Sequence, residues 1–156
     1  HPTTKGIAYA EGATFFTLSY KKTEKTFAEV LDVIVFNAFN EDEQATIKGF
    51  LKRSNLIIDE IDVVVFGVNA DVQQQAFYDQ LRSLFQENAQ AYYQHISGSY
   101  DTASAFGLKV AAEMVSRQKY PANIQYNEIQ PEEIGKVLLI NQFNNTDFSF
   151  VLVSKC

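Results

Sequence analysis

A chain of 156 residues, 46% hydrophobic and 21% charged, fits a single domain with enough apolar content for a sizeable core. Its net charge of −6, with the 13 Lys and Arg dispersed, argues against nucleic acid and anionic membrane surfaces and leaves proteins or small molecules as partners. One cysteine, Cys156, excludes an internal disulfide, and two histidines, one of them His1, leave a metal site without a convincing ligand set. No cofactor is implied. No apolar run approaches a membrane span and no signal peptide precedes the first strand, so a cytoplasmic protein is expected.

After the polar, turn-like stretch His1 to Gly6, the segment IAYAEGATFFTLSYKK alternates Ala13, Phe15, Thr17 and Ser19 with Thr14, Phe16, Leu18 and Tyr20. That is a strand pattern. Lys21 to Lys25 forms a charged turn, and AEVLDVIVFNAF then packs Val30, Leu31, Val33, Ile34, Val35 and Phe36 densely enough for an interior strand. Asn40 followed by Glu43 resembles a capping box, opening a helix with Ala45, Ile47, Phe50, Leu51 and Leu56 at helical spacing and Lys52 and Arg53 at its end. DVVVFGV, ended by Gly67, reads as an interior parallel strand. The next helix, DVQQQAFYDQLRSLFQE, is capped by Asn69 or Asp71 and carries Phe77, Leu81, Leu84 and Phe85 on its apolar face.

AQAYYQHI reads as a strand, and SGSYDTASAFGLKVAAEMV as a turn with a cap at Asp101 or Thr102 and then a helix. Only Lys109 and Glu113 are charged within that helix, which makes it apolar almost all round and buried on more than one face. Pro121 prevents a helix in YPANIQY. VLLINQF and FSFVLVS, separated by Asn144, Asn145, Thr146 and Asp147, form a hairpin. The order strand, strand, helix, strand, helix, strand, helix, hairpin implies a mixed sheet with a parallel middle and helices on its faces.

Neither a phosphate loop, nor zinc spacing, nor a nucleophile elbow is present. His95, Ser97, Ser99 and Asp101 offer an imidazole, hydroxyls and a carboxylate, but neighbours on one extended segment point to alternating sides, so His95 is expected to be a hydrogen-bonded structural residue. Glu11 beside Gly12 is expected to accept backbone N–H bonds.

The segments taken together resemble the C-terminal half of the β-ketoacyl synthases of the thiolase superfamily, over nearly all of residues 1–156. Lys5-Gly6 with AEGATFFTLSY is similar to the family's D-G-x-x-x-G-E-G-A segment and following strand. TIKGFLKRSNL and IDEIDVVVFG are similar to the helix, linker and strand that lead to its first catalytic histidine. HISGSYDTASAFGLKVAAEMV resembles K-S-x-x-G-H-x-x-G-A-A-G-A, PANIQYN the P-x-x-x-N turn, and LLINQFNNTDFSFVLV the last hairpin. The resemblance implies an α/β fold: a thiolase-like half with a mixed five-stranded sheet and helices on both faces, itself half of a five-layer αβαβα arrangement whose N-terminal half the chain lacks.

The resemblance also shows departures at every catalytic position. The first family histidine falls at Gly67, or at Phe66 if the register slips by one, the second at Ser99, and the family lysine at Gln94. Asn144, Asn145 and Thr146 replace the glycine-rich gate, shortened by about two residues. The nucleophilic cysteine belongs to the N-terminal half. What this implies is a catalytically degenerate chain, similar to a chain-length-factor subunit, with an active ketosynthase and an acyl carrier protein as partners, or a homodimer through the Ala103 to Val115 helix face. The alternatives are part of an active 3-oxoacyl-acyl-carrier-protein synthase, an acyltransferase using Ser99, Asn144 or Asn145 to bind substrate, and an acyl-binding scaffold domain.

Overall fold

Runs of apolar residues at period two build one five-stranded sheet, and its two faces are covered by helices whose apolar stripes recur at three and four residues. The computed structural model describes residues 8–39 and 42–156. Among these, β1 is Glu29–Phe36, α1 Glu43–Arg53, β2 Val63–Phe66, α2 Val72–Leu84, β3 Ala89–Tyr92, α3 Gln94–Ser97, α4 Ala103–Arg117, β4 Lys136–Phe143 and β5 Asp147–Ser154. The strand order is β1-β5-β4-β2-β3. β2 runs parallel to both neighbours, β3 and β4, while β5 runs antiparallel to β4 and β1.

Alternation divides the core cleanly. Val63 and Val65 of β2, Val137 and Leu139 of β4 and Val153 of β5 point to one face, where Ala103, Ala111, Met114 and Val115 of α4 cover them. Val64, Phe66, Leu138, Ile140, Phe150 and Leu152 point to the other, against Ile47, Phe50 and Leu51 of α1 and Tyr78 and Leu81 of α2. The four residues of β2 are all buried, which is why that run is apolar without alternation.

Local chemistry sets the element ends. The Asp42 carboxylate caps α1, accepting from the Ala45 N–H at 2.7 Å; the expected cap Asn40 lies outside the described residues. Asn69 Oδ1 accepts the Asp71 N–H at 3.1 Å just ahead of α2. Thr102 stands at the N-cap of α4 without a side-chain capping bond. That helix closes on Gln118 in the left-handed region, φ 52°, where its side chain donates to the carbonyls of Val115 and Ile134 and accepts from the Ile134 N–H. The β4–β5 hairpin turns through Asn144 and Asn145 with φ of 52° and 57°, the positive pair a primed turn needs.

Three expectations change. AEVLDVIVF is an edge strand: Ile34 and Phe36 pack with the α1/α2 core, but Val33 and Val35, on the α4 side, remain 53% and 73% exposed because α4 does not extend over them. The segment from Ala13 to Tyr20 forms no strand, and Phe15 and Tyr20 are 91% and 92% exposed. A strand needs an edge to pair with, and this segment lies on none. Finally, β3 stops at Tyr92 and the chain turns into the short α3 and then Gly98 at φ 69°, so His95 sits on a helical turn rather than a strand.

On α4 the buried residues are Ala103, Gly107, Ala111, Ala112, Met114 and Val115, while Phe106, Leu108 and Val110 are half-buried against the same cluster. Small residues let the helix sit low. A Cβ on Gly107 would come within 2.7 Å of the Tyr93 ring and 3.0 Å of Leu139. Gly107→Val is therefore expected to lose about 2–3 kcal/mol of stability by overpacking, read as a lowered urea midpoint with unchanged slope.

Candidate functional site

The C-terminal ends of the parallel strands β2, β3 and β4 lie side by side, with Phe66 in register with Tyr92 on one side and Ile140 on the other. In open sheets of this kind such ends are where ligands bind. The residues that follow the register are Gly67, Tyr93 and Asn141, and they meet there. The Gly67 N–H donates to the Ile140 carbonyl at 2.9 Å, continuing the β2–β4 ladder by one step. On the α4 side the Tyr93 hydroxyl donates to Asn141 Oδ1 at 2.6 Å. On the α1/α2 side the Tyr78 hydroxyl donates to the Gly67 carbonyl at 2.8 Å and accepts the Gln142 N–H at 3.2 Å.

Burial dominates the electrostatics. It pushes both the Tyr78 and the Tyr93 phenols well above the ordinary tyrosine value, with the side chain of Gln94 partly offsetting the effect at Tyr93. Both phenols are therefore neutral donors at physiological pH. The Asn141 side chain is nine-tenths buried, yet its Nδ2 has no partner among the described residues, and neither has the buried Oε1 of Gln94.

Gly67, where the resemblance puts the first histidine unless the register slips to Phe66, is closed to any side chain: a Cβ there would overlap the Asn141 carboxamide oxygen and approach the Tyr78 hydroxyl at 3.2 Å. Phe66 is fully buried in the α1/α2 core. Gln94 opens α3, its side chain reaching the Tyr93 hydroxyl. Ser99 is half-buried, and its backbone anchors the N-terminal segment, donating to the Ala8 carbonyl at 2.9 Å and accepting from the Ala10 N–H at 3.0 Å. Asn144 and Asn145 are exposed at the hairpin tip, where their backbone conformation makes the turn.

The structure thus brings Gly67 and Gln94 together through Asn141 and Tyr93, and leaves Asn144 and Asn145 at the tip of the turn. His95 is a structural residue as expected, its Nε2 bonded to the Asn123 carbonyl at 2.7 Å and its ring against Tyr92. The Ser97 hydroxyl donates to the Gly98 carbonyl, and the exposed Glu11 takes no backbone N–H among the described residues. Sequence reasoning passed over Asn141. Its signal was there: the pair Asn141-Gln142 interrupts the apolar run VLLI inside a strand.

A wider, solvent-open groove of about 510 Å³ runs along α2 and the start of β3, lined by Asp79, Arg82, Gln90 and Tyr126. There the Arg82 guanidinium stacks 3.6 Å from the Tyr126 ring, pairs with Asp79 at 2.7 Å and donates to Gln90 at 3.3 Å. Its polar groups satisfy one another, so the strand-end cluster, with buried unpaired polar atoms, is the stronger candidate.

No protein-family model and no curated protein matches the sequence. Among solved structures the chain is similar to the noncanonical ketosynthase FabY from P. aeruginosa, with a TM-score of 0.55 and 13% identity over 83% of this chain. It is also similar to 3-oxoacyl-[acyl-carrier-protein] synthase III from Aquifex aeolicus VF5, with a TM-score of 0.48 and 11% identity over 85% of this chain. The fold is that of a ketosynthase-like, thiolase-type α/β unit. The chain spans 26% of the first protein's length and 46% of the second's. Among the described residues no helix is long and apolar enough to cross a membrane.

Two outcomes follow from this geometry. Gly67→Ala should displace the Asn141 oxygen from the Tyr93 hydroxyl and cost about 1–3 kcal/mol, measured by chemical denaturation, with Gly67→Ser no better. Raising pH should destabilise the fold. Burial pushes the Tyr120 phenol to about 12, and Tyr78 and Tyr93 also lie above their ordinary value, so each stays protonated in the folded state after the unfolded chain has ionised. Their contribution is complete below a pH of about 10 and is lost as pH rises through the folded values, which alkaline denaturation followed by tyrosinate absorbance will read; Tyr120→Phe should flatten the onset.

Proposed function

We propose that this chain is the C-terminal part of a catalytically degenerate ketosynthase-like protein that acts, as a chain-length factor does, by pairing with an active ketosynthase and shaping its acyl tunnel in fatty-acid or polyketide assembly. The observation that carries this reading is Gly67. At the position of the first family histidine there is no side chain, and the Asn141 carboxamide fills the space where one would begin. With serine at 99 and glutamine at 94, these positions offer no imidazole and no ammonium to stabilise an enolate or oxyanion. An active-synthase reading has less to draw on, since Asn144 and Asn145 are occupied in making an exposed turn.

Two further features support a larger assembly. Val33 and Val35 of β1 and the strand-patterned segment with Phe15, Leu18 and Tyr20 leave apolar surface uncovered on the described chain. A second sheet from an upstream half, a ketosynthase partner or a second copy would bury it, and the half-buried outer residues of α4, Phe106 and Val110, belong to the same side.

The reading is tested by co-expressing the full-length protein with the ketosynthase encoded beside it and an acyl carrier protein. A stable heterodimer and a product of defined length are expected, with no condensation by the full-length protein alone. A ketosynthase that neither co-purifies nor changes its products in the presence of this protein would remove the proposal, and so would intrinsic turnover abolished by Ser99→Ala. For the 156-residue chain alone, sedimentation should show self-association that Val110→Lys weakens.

A further inference from the structure

We draw no further inference here: the strongest candidate, the apolar surface that Val33 and Val35 expose on the α4 side of the edge strand β1, carries nothing because nothing in the structure shows what covers it.

Discussion

Both cores of this molecule close on β4. It is the one strand flanked by β2 on one side and β5 on the other, with Val137 and Leu139 under α4 and Leu138 and Ile140 under α1 and α2. Its start is pinned by Asp62, whose Oδ2 accepts the N–H groups of Gly135 and Lys136 at 2.8 and 2.7 Å. Its end carries Asn141 to one face and Gln142 to the other, because the same alternation that divides the apolar residues divides the polar ones. The candidate site is thus a continuation of the core pattern by polar residues at the point where the sheet runs out, and its position is as fixed as the packing beneath it.

The asymmetry of the sheet has the same origin. The outer edge of β3 is closed by the chain itself: Asn127 accepts the Gln90 N–H at 3.0 Å, and the Gln90 carbonyl takes the Tyr126 N–H and the Tyr120 hydroxyl. At the other edge β1 is guarded only locally, by Asp32, which accepts the Val33 N–H at 2.8 Å and the Arg53 guanidinium at 2.7 Å. A charged side chain folded over an edge discourages indiscriminate pairing, yet Val33 and Val35 remain exposed beside it. One edge of the sheet is closed by the chain, and the other keeps apolar side chains in solvent.

How far the sequence could be read depended on whether the deciding partner was local. β2 was legible because four consecutive apolar residues need both faces covered, and both are. The β4–β5 hairpin was legible because Asn144 and Asn145 tolerate the positive φ its turn requires. β1 misled because its residues are as apolar as those of β2, and nothing within the strand says that α4 stops short of it. The Ala13 to Tyr20 segment misled for a related reason: alternation records the environment a strand is built for, and within these described residues that environment is absent. At the site, Gly67, Gln94 and Ser99 were found through family resemblance, whereas Asn141 and Tyr93 become visible only when the register of β2, β3 and β4 brings distant positions into contact.

The chemistry of the cluster follows from what an amide can and cannot do. The buried Asn141 NH₂ group can donate a hydrogen bond but does not exchange protons near neutral pH, and the Tyr93 phenol bonded to its carboxamide is held protonated by burial. A single well-placed donor of this kind is worth about 10²–10³ in rate when charge develops on the oxygen, against accelerations of at least about 10⁶ in working enzymes. The remainder would have to come from a nucleophile and a base, and Gly67, Tyr93 and Asn141 supply neither. Substituting histidine at position 67 would not supply the base, since the space beside β4 is already taken by the Asn141 side chain and the ring would have to enter at the expense of its bond to Tyr93. Installing an imidazole at position 67 therefore requires changes on two strands at once, on β2 for the ring and on β4 to clear the Asn141 carboxamide from its path.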